Sequence, residues 1–427
     1  MRRAPPIGVV LVSLSVFAPA ARADDILVPG DFRDLQEALD SARPGDTVLL
    51  GRGTFRGPFT LATDRVTIVG EEGTRILGPG LRRDDDRVPP ALVVAADGVS
   101  VQGVSFLRGG VEVAGDDAAL RDCSFRRIAS RRREAFAVLI EGDRADLEGG
   151  EVLLGGRLPM NSTGVFVNGE DASISGVGLT GSPHCLPIQV SGDGARVEGN
   201  TIATLGVNGI ILNGAEGTVA DNTMQGALLD VWGDGNAVTG NVSTGVPFGM
   251  PSILVQGDGN VLEDNEARYG GDTGVVVVGE GNLLRRNTVA NNGTIQDGAR
   301  LGHGFVVRGS GNRLEGNSVL GCVGEGFRVV ENLRWNWDAW CWEPGPGNEV
   351  VGCSGTGAGT CGLGNWTTGT DVTGSTFTDN GVDVVDGGGF DQFEGNTYDT
   401  GGPGFQGSGN GNDTPDFGTG WMGGGWD

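Results

Sequence analysis

The sequence predicts an all-β solenoid: a parallel β-helix of roughly thirteen coils, closed at its N-terminal end by one capping helix. Three observations predict it. The first is a phrase clearest at Gly233-Asp234-Gly235-Asn236-Ala237-Val238-Thr239-Gly240-Asn241, which returns from Gly257, Gly279 and Gly309. Degenerate copies start at Gly115, Gly142, Gly169, Gly192, Gly214, Gly345 and Gly388. Successive starts are roughly 19 to 36 residues apart, the range in which self-similarity means stacked units. Second, short β-branched runs flank each copy, such as Ile253-Leu254-Val255 before it and Leu262 after it. Third, the chain of 427 residues holds 81 Gly without a Gly-X-Y period, which assigns the glycines to recurring tight turns.

Taken in order, residues 1–23 read as a signal peptide. Arg2 and Arg3 precede an apolar run from Ile7 to Phe17, and Ala21-Arg22-Ala23 supplies a cleavage site. That run is too short to span a bilayer, and no later stretch does so. Residues 24–400 form the predicted β-helix. Ile26-Leu27-Val28 reads as a strand, and residues 31–40 read as the capping helix. Asp31 is its N-cap, and Phe32, Leu35, Ala38 and Leu39 share one face. From about residue 91 the repeats take over, with two strand signals in each. Residues 401–427 are a Gly-rich, low-complexity tail.

Within the repeats, Asn falls eight places after the first Gly at Asn200, Asn222, Asn241, Asn265, Asn287, Asn317 and Asn396. Coils spaced about 4.8 Å apart would stack these amides as a ladder. Cys123 and Cys353 share that position and so face a turn interior. If Val165 and Val167 point inward, the outward column reads Leu139, Phe166, Gln189, Ile211, Asp230, Leu254, Val276 and Val306. It is mostly apolar where a solvated face would be polar, which calls for a covering loop or partner chain. Insertions at 126–135, 154–162, 180–186, 244–251 and 288–303 leave the rod at one edge, and 331–344 leaves at another corner.

Formal charge is −25, and every one of the 30 basic residues is Arg. Loss of Arg2, Arg3 and Arg22 with the signal peptide takes it to −28. Such a surface argues against nucleic acid or anionic membrane as a partner. Four of the six cysteines, Cys322, Cys341, Cys353 and Cys361, are close in sequence, and an exported chain would favour disulfides among them. The Asp residues of the Gly-Asp-Gly-Asn corner read as turn chemistry. One carboxylate per copy falls short of the six or more oxygens calcium needs, so no metal or cofactor is expected.

The block Asp34-Leu35-Gln36-Glu37-Ala38-Leu39-Asp40 through Pro44-Gly45-Asp46-Thr47-Val48-Leu49-Leu50 and Gly53-Thr54-Phe55, followed by these coils, resembles the pectin-lyase-like superfamily. The resemblance implies a right-handed β-helix. It leaves function open, because the superfamily includes pectate lyases, polygalacturonases, pectin methylesterases, uronan epimerases, phage tailspikes and non-enzymatic proteins of the NosD type. The family's catalytic signatures are incomplete here. Gly302-His303-Gly304 matches a polygalacturonase element without its paired Asp residues. Ser182-Pro183-His184-Cys185 keeps only the Pro-His of an epimerase motif, and Gln296-Asp297 falls in an insertion. Lyases with a Lys base are excluded by the absence of Lys, whereas an Arg-based lyase is not.

Three constellations carry candidate chemistry. The basic loop with Arg121, Arg126, Arg127, Arg131, Arg132 and Arg133 offers bidentate contacts to a polyanionic glycan, with Arg131 as a candidate catalytic base. Its bland alternative is a solvated loop paired with acidic neighbours. His303 stands in repeat register with Thr273 before it and Glu325 after it, which makes His303 and Glu325 a candidate acid/base pair. Here the alternative is a His that merely fills its column. The insertion holding Trp335, Trp337, Trp340 and Trp342 offers indoles that stack on sugar rings. Alternatively it folds onto the rod and packs over the apolar column. These features lead to an expectation of a secreted or periplasmic protein that binds, and in one version cleaves, an extracellular or cell-envelope polysaccharide. A non-catalytic accessory protein of the envelope is the other reading.

Overall fold

The computed structural model describes residues 23–79, 87–128, 135–154, 162–181, 185–204, 208–247, 249–296, 299–330, 333–336, 341–344, 347–367, 369–387 and 390–398. Three long parallel sheets run its length. Each coil contributes one strand to each, as with Thr163–Val167 to sheet 1, Ser173–Ser175 to sheet 2 and Gly178–Thr180 to sheet 3. The sheets hold 14, 16 and 15 strands respectively. The stack therefore exceeds the roughly thirteen coils expected, and at about 4.8 Å per coil it is about 70 Å long. The excess comes from residues 25–77, whose strands join all three sheets although they lack the Gly-Asp-Gly-Asn phrase. Each coil also has three strands where the sequence signalled two. Sheet 3 strands such as Thr201–Ala203 and Thr288–Ala290 are three residues long, too short to show alternation. The insertions accordingly begin after Arg126 and after Ala290.

The N-terminal helix spans Leu35–Ser41 and buries Leu35, Ala38 and Leu39 against the first coils, with Phe32 packed half-buried beside them. Its N-cap is Asp34, which accepts the N–H of Gln36 and Glu37, and not Asp31. Asp31 instead accepts the Leu27 N–H and fixes the turn before the helix. Apolar positions five places after each starting Gly, among them Leu147, Ile174, Val219 and Leu284, are buried in the core. Stacked Phe pairs, Phe106–Phe125 and Phe305–Phe327, each at 5.1 Å, fill it.

The corners explain the repeated phrase. A Cβ on Gly233 would lie 2.1 Å from the carbonyl oxygen of Gly214, and one on Gly257 would lie 2.1 Å from that of Gly233. The same contact recurs at Gly142, Gly169, Gly192, Gly214, Gly279 and Gly309, so each starting Gly is set by the coil before it. Eight places on, the predicted ladder is present. The side-chain oxygens of Asn222, Asn241 and Asn265 accept both N–H groups offered by the Asn one coil earlier. Cys353 and Ser375 continue the column to Asn396. A second ladder, Asn236, Asn260, Asn282, Asn312 and Asn348, links the fourth position of the phrase at 2.8–2.9 Å. The corner Asp residues do turn chemistry: Asp64, Asp97, Asp116, Asp143 and Asp258 accept backbone N–H groups of the following coil.

Cys123, Cys322, Cys353 and Cys361 are buried with free thiols, so the disulfides expected in the C-terminal cluster do not form among Cys322, Cys353 and Cys361. Burial pushes the Cys123 and Cys353 thiols up to about 11. Residues 1–22 of the segment expected as a signal peptide, tail residues 401–427 and His184 lie outside the described residues, and Cys341 is described only as the first residue of the strand Cys341–Pro344. Among the described residues no helix is long and apolar enough to cross a membrane.

Candidate functional site

The outward column of sheet 1 has the register the sequence predicts. Leu139, Phe166, Gln189, Ile211, Asp230, Leu254, Val276 and Val306 pair in succession, and Arg328 follows Val306. Leu139 and Val306 are buried and the others half-buried. Two residues further along each strand lies a second outward row. It reads Ser191, Asn213, Trp232, Gln256, Val278, Arg308, Val330 and Trp366. Trp232 and Trp366 are 46% and 36% exposed, and five strand steps put them about 24 Å apart on one face.

Near the C-terminal end of this face the structure brings together His303 and Glu325. Thr273, His303 and Glu325 stack in consecutive coils, joined by the backbone bonds Gly274 N–H to His303 and Gly304 N–H to Glu325. The His303 Nδ1 lies 3.6 Å from Glu325 Oε2. It accepts the backbone N–H of Glu325 at 3.1 Å. An atom that accepts an N–H carries no proton, so the ring is neutral with its proton on Nε2. Burial, and then the Arg328 charge, push the His303 pKa down to about 4, which agrees. The two side chains therefore touch without sharing a proton. The acid/base pair expected from the register becomes a buried carboxyl group beside a neutral imidazole that presents a donor.

Glu325 is buried, and burial raises its pKa while Arg328 and Trp366 oppose the rise. Arg328 Nη1 donates to Oε2 at 3.3 Å, and the Trp366 indole donates to Oε1 at 3.4 Å. The guanidinium also sits 6.0 Å from the Trp366 ring centroid. Gly364, which follows Arg328 in the outward column, leaves room for the carboxyl group, since a Cβ there would lie 2.8 Å from Oε1. Sequence reasoning missed Arg328 and Trp366 as members of this cluster. Arg328 was legible as the next residue of the outward column, but Trp366 lies in a coil without the repeated phrase.

A second carboxyl group stands on the same face. Asp230 lies between Ile211 and Leu254, and its Oδ1 is buried without a hydrogen-bond partner. Burial pushes its pKa up to about 6, with the Trp232 indole as the one opposing donor. Asp230 stood in the predicted column as its one carboxylate, yet was not singled out as a candidate.

The other candidates fare differently. Arg126 is ion-paired with Glu151 at 2.9 Å, and Arg121 with Asp146 and Glu148, so these guanidiniums already have carboxylate partners. Arg127 takes a left-handed turn conformation (φ 58°), and Arg131, Arg132 and Arg133 lie outside the described residues. The tryptophan insertion is an antiparallel hairpin of Leu333–Asn336 and Cys341–Pro344, in which Trp335 is opposite Trp342. Trp337 and Trp340 lie outside the described residues.

Comparison with known proteins adds the handedness. The model of the right-handed β-helix region family matches residues 161–334. The match spans 174 of the 427 residues, and the three parallel sheets run on past it at both ends. No curated protein sequence matches it. Among solved structures it is similar to alginate lyase AlyF-OU02, at 15% identity over 89% of this chain and 88% of that one, TM-score 0.47. It is similar to an α-1,3-glucanase catalytic domain bound to tetrasaccharides, at 10% identity over 88% and 71%, TM-score 0.49. A family 6 polysaccharide lyase from Pseudopedobacter saltans is similar at 12% identity over 88% and 92%, TM-score 0.48. At these identities no residue of theirs is carried over to this β-helix protein.

Proposed function

We propose that this protein is exported, to the periplasm or beyond the cell, and binds an extracellular or cell-envelope polysaccharide along the outer face of sheet 1. The observation that carries the reading is an exposed tryptophan beside a desolvated carboxyl group at two places on that face, Trp232 with Asp230 and Trp366 with Glu325. Indole faces stack on pyranose rings, and carboxyl groups hydrogen-bond their hydroxyls. The mostly apolar row between them suits the C–H faces of a glycan laid along the rod. No cofactor or calcium ion is needed for this.

The geometry favours binding over hydrolysis. Asp230 and Glu325 stand four strand steps apart, about 19 Å along the axis. Paired-carboxylate hydrolysis needs a separation below about 10 Å. Cleavage at this face would fall to Glu325 as the proton-transferring group, with His303 donating through Nε2. The second reading, a non-catalytic accessory protein of the envelope, is favoured by the pairing of Arg121 and Arg126 with acidic neighbours, which leaves them as structural links.

The test is a glycan panel on the purified full chain, read by binding and by absorbance in the unsaturated-uronate band. Saturable binding lost in Trp366→Ala supports the proposal. Products lost in Glu325→Gln would add cleavage. Neither binding nor products across the panel would leave the accessory reading standing.

A further inference from the structure

The two tryptophan–carboxyl places differ in their surroundings. The Trp366 end is charged, with Arg328 on Glu325 and Arg308 nearby in the second row. Beside Trp232 in the second row the side chains are neutral and polar. Asn213 and Gln256 flank it directly, Ser191 follows Asn213, and Gln189 lies two strands from Asp230 in the first column. Asn213 is exposed, and Gln256, Gln189 and Ser191 are half-exposed. No Arg occupies either outward row from Gln189 to Val276, or from Ser191 to Val278.

From this arrangement we infer that Trp232, Asp230, Asn213 and Gln256 form a subsite for an uncharged pyranose, distinct from the Trp366–Glu325 place. Three physical points carry it. An exposed indole supplies a stacking platform, and the two amides beside it offer both donors and acceptors to sugar hydroxyls. A uronate or sulfated sugar at this point would bring its anion against Asp230 with no Arg in this stretch of either outward row to offset it, in a chain of net charge −25. The flanking Ile211 and Leu254 leave little water to screen that repulsion. The face is thus graded along the rod: neutral sugars toward the N-terminal side, and charged substituents tolerated only near Arg308 and Arg328.

The inference rests on the reading of this face as a glycan surface, and one experiment separates the two. Binding of gluco-oligosaccharides, chito-oligosaccharides, mannurono-oligosaccharides and galacturono-oligosaccharides to the full chain is measured by calorimetry for wild type, Trp232→Ala, Trp232→Phe and Trp366→Ala. Circular dichroism confirms the fold of each. A neutral series should bind, lose at least about tenfold in Trp232→Ala and recover in part in Trp232→Phe. The uronate series should be little changed by Trp232→Ala. Neutral binding that survives Trp232→Ala but falls in Trp366→Ala overturns the subsite and leaves the polysaccharide reading intact. An equal loss of neutral and uronate binding in Trp232→Ala overturns the selectivity. Absence of binding to every oligosaccharide overturns both.

Discussion

Asp230 is a residue whose environment opposes its usual state. Its carboxyl group sits on the outer face among aliphatic neighbours, with one oxygen buried and unpartnered and its pKa pushed up to about 6. A carboxyl group raised in the folded state makes that state less stable as pH climbs from its unfolded value near 4 through about 6. Replacing it with Asn removes the charge and keeps the shape. Asp230→Asn should therefore be more stable than wild type at pH 7, by about 1 to 2 kcal/mol after allowing for partial solvent access. The gap should close near pH 4. Urea unfolding of both proteins at the two pH values checks it, and equal stability at pH 7 would show that solvent reaches the carboxylate. His303 runs the other way, its pKa pushed down to about 4, but it is common to both proteins and cancels in the difference.

The corner is the element that recurs, and it rests on contacts that a single atom can break. Gly257→Ala places a methyl group 2.1 Å from the Gly233 carbonyl oxygen, at a φ of 140° that L-residues avoid. A loss of at least about 2 kcal/mol is expected, because a backbone carbonyl in a stacked coil has nowhere to move. The ladder is equally exacting. Asn265 donates to Val238 and Asn287, and accepts both N–H groups of Asn241. Asn265→Ala strands these partners in the interior and should cost about 2 to 4 kcal/mol. Asn396→Ala, in the last described coil, should cost much less. Thermal unfolding of the three variants ranks them, and an Asn265→Ala protein as stable as wild type would contradict the ladder's energetic role.

At the scale of the whole molecule, each coil meets only its neighbours, so stability is close to a sum over coils and their interfaces. Equivalent ladder residues Asn265 and Asn287 are 22 positions apart, and Gly279 stacks on Gly257 as Gly257 does on Gly233. Deleting residues 257–278 therefore joins Gln256 to Gly279 with every ladder in register. The shortened rod should fold, with a β-type circular dichroism spectrum and a modestly lower melting temperature. Deleting residues 257–267 alone puts the corner glycines and the Asn ladders out of phase and should abolish folding. If both deletions fold equally well, the register is not what specifies the stack.

Much of this was legible in the sequence because a repeat writes its register many times over. The starting glycines, the Asn ladder with Cys123 and Cys353 at the same level, the outward column and the stacking of Thr273, His303 and Glu325 could all be counted off. The second Asn ladder at Asn236, Asn260, Asn282, Asn312 and Asn348 is equally visible as the fourth position of the phrase. What counting could not supply is whatever breaks the period. Three-residue strands hide the third sheet, Asp34 outcompetes Asp31 as N-cap through the local turn, and the non-repeating coil that carries Trp366 has no register to count from. The sequence alone determined that this chain is a stacked solenoid and which residues share a column, because one residue pattern satisfies every coil. Only the tertiary structure decided what those columns do. The burial of Asp230, the proton on His303 Nε2 and the meeting of Glu325 with Arg328 and Trp366 depend on side chains converging from different coils. A repeat fixes their spacing but not their environment.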